Sequence, residues 1–205
     1  LVAVKNPFND LFQLDFKFER GWRHERGLCA ALDLLDLSGA GDMAAEVFKK
    51  KLYALGTTVK TGCGEDSASV HMAGIEQHLE ESLKLVRQRF EGPNIATDTL
   101  KKMVEIQIGA HKDNKVNPAY VRYALGQWAM RGAESEVLGE LSDAELRALD
   151  EDRLKRLLAD FFGYRHRVGY VGTRAPEDAV RLLAVPGKAY AAVPERKPRR
   201  YRRPG

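Results

Sequence analysis

The 205-residue chain has only two cysteines, Cys29 and Cys63. They are too few and too far apart to build a zinc ribbon or a disulfide scaffold. Cys29 falls on an apolar helical stretch and Cys63 at a glycine-flanked strand end, so buried thiols are expected. A bridge between them would call for an oxidising compartment, and the residues alone leave that open. No apolar run approaches the roughly 20 residues of a membrane span. The opening Leu1-Val2-Ala3-Val4-Lys5-Asn6-Pro7 has neither a charged n-region nor a sufficient hydrophobic region, so no signal peptide is visible. It reads as a linker within a longer polypeptide, and the compartment, bacterial periplasm or cytoplasm, stays open. There is no G-x-S-x-G, and Ser67 and Ser69 lie in a strand without a glycine-framed elbow. There is no P-loop and no G-x-G-x-x-G, since Gly62-Cys63-Gly64 precedes a strand rather than a helix. Serine-nucleophile, phosphate and dinucleotide chemistry are therefore disfavoured. No internal repeat is present.

Charge is plentiful but unevenly placed. The net charge of +4 and pI near 9.0 invite a nucleic-acid reading. Yet residues 188–205 carry Lys188, Arg196, Lys197, Arg199, Arg200, Arg202 and Arg203 against the single acid Glu195, a net +6 that leaves −2 for the body. Pro194, Pro198 and Pro204 keep this tail from forming a regular helix or a central strand. It reads as an extended, solvated connector, with polyanion binding as the alternative.

The body alternates strands and helices. Phe12, Leu14, Phe16 and Phe18 point one way and Gln13, Asp15, Lys17 and Glu19 the other, which predicts a half-buried strand over 11–19. Helices are predicted over 25–37, stopped at Ser38-Gly39, and over 42–55, with Phe48, Leu52 and Leu55 on one face, stopped at Gly56. Strands over 57–64 and 67–75 form a hairpin around Gly64-Glu65-Asp66. Helices follow over 76–90, 97–112 and 117–131, with a broken helical stretch over 142–162. Ser142-Asp143-Ala144-Glu145 reads as a capping box. A strand over 166–173 and a helix from Pro176 close the body. The order predicts an α+β fold, a mostly antiparallel sheet with helices packed on one face. Length and apolar content predict one domain over 10–186, a leading linker over 1–9 and a basic, proline-containing linker over 187–205.

Candidate chemistry is sparse. Of the histidines His24, His71, His78, His111 and His166, the nearest pair is His71 and His78, beside Glu76, Glu80 and Glu81. They straddle a strand-to-helix junction with no i, i+4 relation to make ligands converge, so surface or hydrogen-bonded histidines are expected. His24 and Glu25 diverge on a helix. Asp33 and Asp36 are i, i+3 on one apolar helix, at its solvent edge or facing a polar cavity. Tyr120, Tyr123 and Trp128 with Arg122 and Arg131 could stack on a ligand, but helical spacing favours core packing with a basic rim.

The stretch Gly27-Leu28-Cys29-Ala30-Ala31-Leu32-Asp33-Leu34-Leu35-Asp36-Leu37-Ser38-Gly39-Ala40 has the outline of a zinc-peptidase helix without its ligands. It resembles the M16 (insulinase/pitrilysin-like) pattern G-L-A-H-F-L-E-H-M-x-F-x-G-T, whose H-x-x-E-H supplies two zinc-binding histidines and a catalytic glutamate. Ala30, Asp33 and Leu34 stand at those three positions. Neither Ala nor Leu offers a lone pair to zinc, and Asp33 is one methylene shorter than the base it would replace. The flanks fall in the same order. Asn6 to Asp15 resembles the opening of the third domain of long M16 chains, Gly39 to Gly56 the segment after the helix, and Ser67 to Leu85 the next strand and helix. The third zinc ligand, a glutamate on a following helix, would fall near Glu105 or later and has no identifiable counterpart.

The resemblance implies an α/β sandwich and a non-catalytic domain from the C-terminal half of a multidomain metallopeptidase. Such a half closes against the zinc-bearing half as a clamshell that encloses peptide. On this reading the chain holds no catalytic residue and no metal or other cofactor, and zinc belongs to the catalytic half. The expected partners are that half and a peptide substrate, not a membrane or nucleic acid. The family's substrate-holding Arg and Tyr come from the following domain, so Arg122 and Tyr123 receive no such role. A purely structural subunit of a processing-peptidase or core-protein assembly is the alternative.

Overall fold

In a computed structural model, residues 1–183 are described, and the predicted basic linker over 187–205 lies outside them. Two compact units are present, one of Leu1–Ala96 with the stretch that starts at Asp152, the other of Thr97–Glu151.

The first unit is built on strands β1 (Val2–Lys5), β2 (Leu11–Phe18), β4 (Thr58–Cys63), β5 (Ala68–Ile75) and β7 (His166–Gly172), in the order β1-β7-β2-β5-β4. Among the described residues β1 and β7 pair in parallel, and the other pairings are antiparallel. A short second ladder joins β3 (Gly39–Ala40) to β6 (Pro93–Asn94). The alternation predicted for β2 holds, with Phe12, Leu14, Phe16 and Phe18 buried. On the neighbouring strands Ala68, Val70 and Met72 and then Val168 and Tyr170 are buried in the same alternating way. The hairpin falls where expected, closed by the Gly64 amide donating to the Ser67 carbonyl.

Helices α1 (Leu28–Asp36), α2 (Ala45–Ala54), α3 (Leu79–Glu91) and α8 (Glu151–Ala159) contribute to the apolar layer. The ring of Phe18 lies 4.1 Å from Phe161, which in turn stacks on Phe90 of α3 at 5.2 Å, so strand and helix share one aromatic core. Phe48, Leu52 and Leu55 form a second cluster with Ala40 and Leu85. Gly56, predicted as a stop, has φ +58°, a left-handed conformation that costs a glycine little. Helix α9 (Pro176–Leu183) ends the described chain. The segment expected as a leading linker supplies β1. Its sequence VAVK is too short and too exposed to declare itself, and the strand exists because β7 offers a free edge.

The second unit is helical: α4 (Thr99–Val116), α5 (Pro118–Arg131), α6 (Glu136–Gly139) and α7 (Asp143–Arg147). Asn117 caps α5, accepting from the Ala119 and Tyr120 amides, with Pro118 at the first helical position. Ser142 and Glu145 make the predicted capping box at α7. The core here is small, Val104, Ile108 and Leu146 with Leu100, Leu141 and Leu149 around them. Helix α5 contains no buried residue. The expected core packing of Tyr120, Tyr123 and Trp128 therefore does not occur. Tyr123 and Trp128 are exposed and Tyr120 is half-buried, and the Tyr120 and Tyr123 hydroxyls donate to Glu140 and Glu136.

Candidate functional site

Helix α1 carries the stretch that resembles the H-x-x-E-H pattern, and its burial decides what those residues can do. Leu28, Ala30, Ala31, Leu32, Leu34 and Leu35 are buried, whereas Asp33 and Asp36 are exposed. Ala30 is 3% and Leu34 0% exposed. The i, i+4 pair that would carry imidazoles thus points into the hydrocarbon core, and the intervening acid points out. These residues do not fit zinc, since two of the three lack donor atoms and do not share a solvent-facing surface with Asp33. Among the described residues no group of three His, Cys, Asp or Glu side chains could hold a metal ion.

The helix is fixed at both ends. Cys29 near its start is disulfide-bonded to Cys63 at the end of β4, with Cα atoms 5.3 Å apart. The expectation of buried free thiols is therefore corrected: packing of α1 against β4 brings together two residues that lie 34 apart in the chain. At the other end Arg89 of α3 is 6% exposed and donates to the Ser38 carbonyl at 3.0 Å. Its guanidinium lies over the Phe48 ring, 4.6 Å from the centroid. Asp36 stands 3.9 Å from Arg89 and accepts from the Thr61 hydroxyl at 3.0 Å. Burial lowers the Arg89 pKa, and the nearby Asp36 carboxylate partly offsets this. A cation at the end of α1 also suits the partial negative charge of its last carbonyls.

A second polar cluster joins the start of α3 to the end of β7, and sequence reading missed it. Glu76, 6% exposed, accepts from the Tyr170 hydroxyl at 2.7 Å, the Thr173 amide at 3.2 Å and Arg174 Nε at 2.8 Å. Arg174 also donates to Glu80 at 2.6 Å. Burial first, and then the hydrogen bond to Glu76, push the Tyr170 pKa up to about 12. Every oxygen of Glu76 is engaged by a fixed protein donor, so the cluster ties strand to helix and presents no group to a substrate. Glu76 belonged to the weak His71/His78 grouping, but the 94 to 98 residues to its real partners left no local signal.

The histidines go to separate places. His71 pairs across the ladder with Asp15, Nδ1 to Oδ1 2.6 Å. His111 meets Asp143 at 2.7 Å, and this bond holds the Asp143 carboxyl below its usual pKa. His24 Nδ1 accepts from the Gly21 amide, and His166 Nδ1 lies 2.7 Å from the Tyr164 carbonyl oxygen.

The architecture, a mostly antiparallel sheet with one helical layer, is the fold of the M16 peptidase inactive domain. No family model matches the sequence, and no curated protein is similar to it in sequence. Among solved structures, the peptidase M16 inactive domain from Pseudomonas fluorescens matches 96% of this chain and 50% of its own, with a TM-score of 0.78 at 18% identity. The ferredoxin protease FusC, solved in complex with Arabidopsis ferredoxin, matches 97% of this chain and 23% of its own, with TM-score 0.78 and 11% identity. The periplasmic protease PqqL from Escherichia coli matches 85% and 20%, with TM-score 0.68 and 15% identity. The chain thus spans half the length of the first and about a fifth to a quarter of the other two. At these identities the likeness is one of fold.

Proposed function

We propose that this chain is a non-catalytic domain of an M16-type zinc metallopeptidase. It forms part of the wall of a peptide-enclosing chamber, while an H-x-x-E-H half elsewhere carries out hydrolysis. The observation that carries this reading is the apolar burial of Ala30 and Leu34 on the helix that resembles the family motif. A surface that helps close a chamber excludes water and adds binding area without any metal ligand. The domain proper includes the leading residues that supply β1 rather than starting at residue 10, with 187–205 as a connector. The Cys29–Cys63 bridge supports folding in an oxidising compartment such as a bacterial periplasm.

The test compares the isolated chain with the full polypeptide or assembly it comes from. The isolated chain should retain no stoichiometric zinc after dialysis and cleave no peptide. The parent protein should lose peptidase activity when this domain is removed while its catalytic half keeps zinc. One tightly held zinc per isolated chain would falsify the reading. Full activity without the domain would favour a purely structural subunit.

A further inference from the structure

Strand β1 ends one side of the sheet: it pairs with β7 and, among the described residues, with no other strand. An open strand edge presents unpaired backbone N–H and C=O groups, and charged side chains normally keep other chains off it. The stretch Val2-Ala3-Val4 carries no charge. Val2 is 68% and Val4 53% exposed, and Val171, beside Val4 on β7, is 41% exposed. Open backbone and exposed apolar side chains thus coincide at one margin of the sheet.

The course of the chain leads back to that margin. Strand β7 runs parallel to β1, and the helix after it, α9, packs against β1, one strand further out. A strand followed by a helix returns most simply as a parallel strand of the same sheet, over a crossover of about a dozen residues or more. Thr173 to Gly187 supplies such a length. Its last part, Ala184 to Gly187, ends in a Pro-Gly turn signal and reaches about 13 Å when extended, enough to climb from the helix layer to the sheet. The stretch Lys188-Ala189-Tyr190-Ala191-Ala192-Val193 follows, with no acid, glycine or proline before Pro194. With side chains alternating, Ala189, Ala191 and Val193 suit the side of the sheet that α9 covers, and Tyr190 suits the open side beside Val2 and Val4.

We infer that the free edge of β1 is the docking site of the chain's own residues 188–193, added as a parallel strand that returns from β7 through α9. The added ladder gives the open amides and carbonyls of β1 their partners, and the Tyr190 ring covers Val2 and Val4. Alanine favours strands only weakly, so this stretch, like VAVK, depends on its partner rather than on propensity. A tether as short as Ala184 to Gly187 holds the segment near β1 at an effective concentration of about a millimolar, which a second copy at micromolar concentration does not match. The connector then starts at Pro194, and the basic stretch Arg196 to Arg203 leaves from the sheet edge. None of this depends on the peptidase reading, because both partners belong to this chain.

Hydrogen exchange read by mass spectrometry tests this on the 205-residue chain and on two truncations, one ending at Val193 and one at Gly187. In the full chain and the longer truncation, the amides of residues 188–193 should exchange at least about tenfold more slowly than in an unstructured peptide. Ending the chain at Gly187 should speed exchange across β1 at least about tenfold and leave β2 and β5 at parent level. Ala191→Pro and Ala192→Pro remove amides on opposite sides of the added strand, so at least one of them should release the protection. Free-peptide exchange across 188–193 overturns the inference. So does β1 exchange that truncation at Gly187 leaves unchanged, and so does parent-level protection in both proline variants. Protection of β1 that grows with protein concentration would assign the edge to a second copy and overturn the inference as well.

Discussion

Breaking the Cys29–Cys63 bridge is the sharpest test of how α1 is held. The two residues are 34 apart in sequence. Cross-linking a loop of that length removes about 13 cal/mol/K of chain entropy from the unfolded state, about 4 kcal/mol at 25 °C in the loop-closure treatment. The folded state loses little in return, since the aromatic core of Phe18, Phe90 and Phe161 does not involve the sulfurs. For a chain of this size 4 kcal/mol corresponds to a fall in Tm of roughly 8 to 15 °C. The assay is thermal and urea unfolding of three samples: the oxidised protein, the protein in excess reductant, and Cys29→Ala/Cys63→Ala. Both residues are partly exposed, so reductant should reach the bridge without prior unfolding. The reduced and double-alanine proteins should melt together, well below the oxidised one, and with a steeper urea dependence because their unfolded chains expand further. A Tm change of under about 2 °C would refute the reasoning. So would two freely titrating thiols in protein recovered from an oxidising compartment.

Three further outcomes follow from particular side chains. Ala30→His overpacks the core at about 1–3 kcal/mol, and Leu34→His buries a polar ring in place of a leucine at about 4 kcal/mol or more, so the variant with Asp33→Glu added should be strongly destabilised and bind zinc no better than the parent, by melting and metal analysis. Phe161→Ala should cost about 3–5 kcal/mol in urea unfolding, since that ring joins β2 to α3. Tyr170→Phe leaves Glu76 with one donor fewer and should cost about 1–2 kcal/mol. The parent should hold the Tyr170 contribution below about pH 10, the unfolded phenol's pKa, and lose it as pH rises toward 12, the folded value; Tyr170→Phe should lack that part of the alkaline decline.

The parts of the fold legible in the sequence are those whose cause is local. Strand β2 announced itself because its inward side chains recur every second residue, and α7 because Ser142 and Glu145 satisfy each other's backbone amides three residues apart. Strand β1, the disulfide and the Glu76 cluster had no such cause. Each depends on contact between elements distant in the chain, and VAVK, two isolated cysteines and a lone glutamate look the same whether or not the partner arrives. Helix α5 misled for a related reason. Its apolar spacing says that a face will be covered but not by what, and within its own unit that face is left uncovered.

The same distinction holds for Ala30, Asp33 and Leu34 on α1. Aligning Ala30, Asp33 and Leu34 with a metal-binding pattern fixes their spacing, and spacing fixes only which residues share a face. Which face turns to the core depends on the whole helix. Here Leu28, Leu32 and Leu35 add so much apolar surface that burying them carries Ala30 and Leu34 inward too. Histidine in those two places would have opposed that burial with polar groups lacking partners. Alanine and leucine bring no such conflict, so α1 packs as a core helix, clasped to β4 by the disulfide and to α3 by Arg89.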